Sequence, residues 1–99
     1  MTATKVVFRK FKEGDIIAMF PREPGTNDPY GTCMSYQHLG QHGSADTGIV
    51  SMTKLAKPGE YAALAKELRS IGYTLDIKTK MTYEDMLERK RQINRISRG

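Results

Sequence analysis

The side chains best equipped for chemistry crowd into one stretch, YGTCMSYQHLGQHGSAD, residues 30 to 46. It holds the sole cysteine, Cys33, and both histidines, together with Tyr30, Tyr36, Gln37, Gln41, Ser44 and Asp46. His38 and His42 have the i,i+4 interval by which a helix presents two imidazoles to zinc. Gly40 and Gly43 interrupt that helix, however, and the glutamate of the metalloprotease pattern is missing. A three-ligand metal site from His38, His42 and Asp46 in an irregular loop stays open. Nucleophilic catalysis is the second chemistry. Cys33 and His38 are five apart, so an extended strand sends them to opposite faces. Ser44, a histidine and Asp46 have the composition of a triad, but residues this close in sequence seldom reach its geometry. The third is a binding loop in which Tyr36, His38, Gln41, His42, Ser44 and Asp46 surround the backbone N–H groups of residues 40 to 48, able to hold a small ligand, peptide or phosphate. Its spacing matches no phosphate loop. The structural alternative makes His38 a half-buried strand end and uses Gln41, His42 and Ser44 to satisfy a glycine-rich turn.

A second chemistry sits at the C-terminus. Arg89, Lys90, Arg91, Arg95 and Arg98 place five positive charges and no negative one in the last eleven residues. Without them the chain has eleven basic and eleven acidic residues, so the formal +5 belongs to this segment. A concentrated patch attracts polyanions at long range. On a helix, Arg91, Arg95 and Arg98 form one ridge, able to meet successive phosphates through forked donors, with Arg89 a fourth candidate. An ordinary helix accounts for the same residues, since Glu84, Asp85 and Glu88 at its start and cations at its end suit the helix dipole, and Asp85 to Arg89 is an i,i+4 pair. Lys90 interrupts the apolar sector of Tyr83, Met86, Leu87 and Ile93, so residues 89 to 99 are expected to leave the body and fray. No aromatic residue follows Tyr83, which removes the stacking partners of single-strand binders.

The elements that position these groups follow from periodicity. TKVVFRKF and DIIAMF, joined by Lys12, Glu13 and Gly14, read as a β-hairpin. Residues 21 to 31, with three of the four prolines, read as a long loop, and TCMSYQH as a third strand. Residues 39 to 48 have loop composition, and 49 to 55 the look of a short fourth strand. Pro58 starts a helix whose stripe is Tyr61, Leu64, Ala65, Leu68 and Ile71, closed by Gly72. Tyr73, Leu75 and Ile77 alternate as a strand, and Thr82 with Asp85 caps a last helix. The order β-β-β-(β)-α-β-α predicts an α+β domain over residues 1 to 99, an antiparallel meander with a helix on one face. In a meander the loops at 21 to 31 and 39 to 48 leave opposite ends of the third strand, and Glu13 or Asp15 comes within reach of His38 or His42.

Composition narrows the class. A hydrophobic fraction of 38% and mean hydropathy of −0.55 describe a globular chain, and the longest apolar run, Ile16 to Phe20, is far too short for a membrane span. With no apolar leader and one unpaired cysteine, a cytoplasmic address is expected. No residue pattern calls for a cofactor. Nucleic acid or an unknown protein is the expected partner, and the sheet edges and exposed second face allow a homodimer.

VVFRKF, DIIAMFP, CMSYQHLGQHGSAD and IGYTL together resemble a family of short uncharacterised proteins encoded by bacteria and their mobile elements. The resemblance covers most of the chain, implies an accessory cytoplasmic role and carries no catalytic assignment. The expectation is a small non-enzymatic binding or accessory module that contacts nucleic acid or another polyanion through its basic end. The alternative is a small metal-dependent or hydrolytic enzyme centred on the loop of His38 and His42.

Overall fold

The computed structural model describes the backbone of residues 3–37 and 41–98, and the side chains of all of these except Gln41, Ser97 and Arg98. It is an α+β fold, with β1 (Thr4–Lys10), β2 (Ile16–Phe20), β3 (Thr32–Gln37), β4 (Gln41–Asp46), a 3-10 helix (Thr47–Met52), β5 (Lys54–Leu55), α1 (Pro58–Ser70), β6 (Leu75–Lys78) and α2 (Tyr83–Arg98). The strands lie in the order β4-β3-β2-β1, all antiparallel. β5 and β6 share the outer edge of β1: β5 pairs antiparallel at Arg9 and Lys10, and β6 parallel from Thr4 to Val7.

The hairpin of β1 and β2 closes where Phe11 N–H bonds to the Asp15 carbonyl at 2.9 Å and Gly14 takes a φ of 100°, a region open to glycine. Val6, Val7 and Phe8 are all buried, as are Ile17 to Phe20, so the central strands are covered on both faces. On one face Val6, Phe8, Ala18, Phe20 and Tyr36 pack against Leu64, Ala65 and Leu68 of α1. Each large side chain buried there contributes about 1.5–3 kcal/mol relative to exposure. On the other face Ile17, Met19, Cys33 and Ala45 pack with Phe11, Ile49, Val50 and Met81. The second face is therefore covered rather than exposed, because the 3-10 segment and the root of α2 fold across it.

Two elements depart from expectation. Residues 41 to 46, expected in a loop, form β4, because backbone pairing with β3 is indifferent to glycine-rich composition when the partner strand is rigid. Residues 49 to 55, expected as a strand, are mostly 3-10 helix: the Asp46 carboxylate accepts from Gly48 N–H at 2.7 Å and caps it. Only Lys54 and Leu55 remain as strand.

α1 ends as expected. Tyr73 N–H reaches the Leu68 carbonyl at 3.1 Å and Gly72 N–H the Arg69 carbonyl at 3.2 Å, with Gly72 at a φ of 111°. Ile71 at the cap turns out to solvent, 52% exposed, and leaves the apolar stripe. At the start of α2, Thr82 N–H donates to Asp85 Oδ2 at 2.8 Å and Asp85 N–H to Thr82 Oγ1 at 3.3 Å, a reciprocal cap.

Candidate functional sites

The basic helix divides at Arg89. Arg89, taken from the sequence as a polyanion contact, is 4% exposed and donates through Nε to the Pro29 carbonyl at 2.9 Å and through Nη1 to the Pro21 carbonyl. The expected Asp85–Arg89 pair does not form. Asp85, 3% exposed, instead holds Lys5 Nζ at 2.7 Å, with Arg22 Nε at 3.8 Å. The physical reason lies in the loop of residues 21–31. Its prolines supply carbonyls but no N–H, so two acceptors need a donor from elsewhere, and a guanidinium carries several in a fixed fork. Arg89 thus pins both ends of that loop to α2, and Gln92 Nε2 adds a bond to the Arg22 carbonyl at 2.8 Å.

Beyond Arg89 the helix changes character. Lys90, Arg91, Asn94, Arg95 and Ile96 are exposed. Arg91 Nε and Arg95 Nη2 both reach the carboxylate of Glu88, each at 3.2 Å, so two guanidinium groups share one negative charge. Exposed pairs of this kind contribute about 0–1 kcal/mol, and they leave the patch positive. The backbone of Arg98 continues the helix, while its side chain lies outside the described residues.

The second cluster forms on the α1 face, where β4 runs back along β3. Tyr36 and His42 are direct partners in the β3–β4 register and meet edge to face, ring centroids 4.7 Å apart. His42 Nε2 lies 2.9 Å from the Tyr73 hydroxyl, and the Tyr73 ring stacks on Phe20 at 5.2 Å. The Tyr36 hydroxyl donates to Glu67 Oε2 at 2.5 Å, tying β3 to α1. Glu23 of the proline loop faces the same group. One of its carboxylate oxygens is buried with no hydrogen-bond partner among the described residues. Burial pushes the Glu23 carboxyl above the usual range, opposed by the nearby His42. Burial likewise raises the Tyr73 phenol, reinforced by the charge of Glu23.

The sequence candidates in this stretch are therefore only partly gathered. Tyr36 and His42 meet; His38 and the Gln41 side chain lie outside the described residues. Ser44 shares a face of β4 with His42, but two residues along a strand separate them by roughly 7 Å, so no serine–histidine bond forms. Asp46 serves as a helix cap. No ion pair joins His42 to Glu13 or Asp15, since the first hairpin turn belongs to strands farther across the sheet, and Glu23 is the carboxylate beside it. Nor do the two irregular segments stay apart: a Cβ on Gly25 would lie 2.5 Å from the Cys33 carbonyl oxygen and 2.9 Å from Ser44 Oγ, so the proline loop lies against the β3–β4 pair. Cys33 is buried and its thiol is pushed up to about 11 by burial, against the opposing influence of Arg89, which makes it a poor nucleophile. Among the described residues no three histidine, cysteine, aspartate or glutamate side chains stand close enough to share a metal ion, and no helix is long and apolar enough to cross a membrane.

Glu23, Glu67 and Tyr73 were not visible as site residues. Glu23 sits in a proline loop without periodicity, Glu67 on the flank of the α1 stripe, and Tyr73 carries the signature of a core strand. Compared with known proteins, the chain matches no family model, no curated protein and no solved structure. Its class is defined by its own geometry: a single mixed sheet with α1 packed on one face and α2 anchored at its root and continuing as a cationic helix.

Proposed function

We propose that this protein is a non-enzymatic binding module that engages nucleic acid through the distal turns of α2, with Lys90, Arg91, Arg95 and Arg98 meeting backbone phosphates. The observation that carries this reading is the division of α2. Its root is tied to the body by the buried Asp85 and Arg89 and by Gln92, while the turns beyond project cations, of which Arg91 and Arg95 share the carboxylate of Glu88 among the described residues. A fixed root makes the rod a preorganised arm. Phosphate oxygens match guanidinium donors better than a shared, solvent-screened glutamate does, so a polyanion can displace Glu88 at small cost.

The test is affinity for a mixed-sequence DNA duplex against salt concentration, followed by fluorescence anisotropy. Three to four neutralised phosphates give a log-log slope of roughly −3, and Arg91→Gln and Arg95→Gln each flatten it by about 1. A slope indifferent to both substitutions removes α2 from the interface. Arg89 is left intact in this test because of its structural bonds.

A hydrolytic or metal-dependent reading is favoured by one feature, the unpartnered Glu23 oxygen beside the His42–Tyr73 pair. It predicts activity or stoichiometric zinc that disappears in His42→Ala. Zinc-free protein in which Glu23→Gln and His42→Ala change nothing but stability would end it.

A further inference from the structure

β4 is the outermost strand on its side of the sheet and pairs only with β3 among the described residues. Thr47 N–H bonds to the Gly31 carbonyl at 2.9 Å, which extends the β3–β4 register by one pair and fixes its phase. In an antiparallel ladder hydrogen-bonded residues alternate. Gly43 and Ala45 therefore bond inward, while His42, Ser44 and Asp46 direct their amides outward, with the carbonyls of His42 and Ser44 beside them. The Asp46 carbonyl instead begins the 3-10 helix. His42, Gly43, Ser44 and Asp46 are exposed. Three devices that blunt a sheet edge are missing from β4: residues 41–46 contain no lysine or arginine and no proline, and the register runs without a bulge.

We infer that this edge pairs with the same edge of a second copy, antiparallel about a two-fold axis through Ser44. In that register Ser44 faces Ser44 of the other copy, and His42 of each copy faces Asp46 of the other. The outward groups then form four backbone bonds: two between the serines and one from each Asp46 amide to the opposing His42 carbonyl. The pairing is self-complementary in charge, because each imidazole stands across from a carboxylate and no two like charges meet. The register shifted by one residue on each strand centres on Gly43 and sets His42 against Ser44, so it forms its backbone bonds without the imidazole–carboxylate pairing. On the opposite sheet face a hollow of about 250 Å³, with Phe11, Ile17, Ala45 and Ile49 in its lining, adjoins this strand. A strand pair this short buries less than a standard interface, so association on the order of 100 µM is expected.

Cross-linking reads the register directly. Facing residues of a hydrogen-bonded pair lie about 5.5 Å apart at Cα, within disulfide range. Ser44→Cys should form a covalent dimer under mild oxidation at least about tenfold faster than Gly43→Cys, with Cys33 buried and silent in both. Sedimentation equilibrium should show wild-type dimerisation weakened at least about tenfold by Ser44→Pro, which removes an N–H unused within the chain. Should that variant lose its fold by circular dichroism, the cross-linking rates decide. A wild type monomeric at about 1 mM, a Ser44→Pro protein that still dimerises, or faster cross-linking at residue 43 would each overturn the assignment. An extended peptide on the same edge would appear as the first of these results.

Discussion

Arg89 shows how far one residue's role can depart from its charge. With a nearly fully buried guanidinium spread over the carbonyls of Pro21 and Pro29, removal strands two acceptors and empties their donor. Arg89→Ala should cost about 2–4 kcal/mol in urea unfolding, and Arg89→Lys should recover little of it because an ammonium lacks the fork. Arg91→Ala and Arg95→Ala, at exposed positions, should stay within about 0.5 kcal/mol of wild type. Glu23 makes the opposite case, a carboxylate whose burial disfavours its charge. Its folded-state pKa is raised, so the native state holds a proton that the unfolded chain releases, and stability from this group falls as pH rises from about the ordinary value of 4.5 upward. Relative to Glu23→Gln, the wild type should therefore lose stability between mildly acid and neutral pH. Parallel urea titrations of the two proteins check the sign.

At the scale of elements, the ends of helices were the most legible features and the glycine-rich edge the least. Caps are local: Thr82 and Asp85, or Gly72 after a stripe, satisfy backbone groups within a few residues of themselves. Gly72 at a φ of 111° admits a Cβ without collision, so Gly72→Ala should cost about 1 kcal/mol through backbone strain alone, as thermal or urea unfolding will show. β4 was hidden because nothing in QHGSAD prefers a strand; its conformation is imposed by β3, whose Cys33 and Tyr36 are locked into the cores on either face. The 3-10 helix was hidden for a related reason. Ile49 and Val50 have strand propensity, but the Asp46 cap turns the chain before that propensity can act. Once β4 folds back, Glu23 and Gly25 meet His42 and Ser44, and the polar cluster follows as a consequence of topology.

For the whole molecule, a balanced body and a cationic rod are joined through one anchored helix root. The location of the anchor predicts two different truncations. Ending the chain after Asn94 removes Arg95 and Arg98 but keeps Arg89 and Gln92, so the fold should persist while the salt slope for DNA falls by about 2. Ending it after Glu88 removes the loop anchor as well and should destabilise the protein by at least the Arg89→Ala amount. Circular dichroism melts beside anisotropy titrations separate the two effects. Pairing of two copies at β4 would present two such rods to one polyanion, which raises avidity when both reach it.

By itself the sequence determined what is written in short-range pattern: the first hairpin, the proline loop, both helices with their caps, the α+β class and the confinement of net charge to the last eleven residues. These depend on contacts within a few positions, where side-chain type and spacing control the backbone directly. The tertiary structure alone decided which arginine is buried, which carboxylate stands beside His42, and that a glycine-rich segment forms the sheet's outer strand. Each of those depends on which unpaired backbone groups and open faces distant segments bring together.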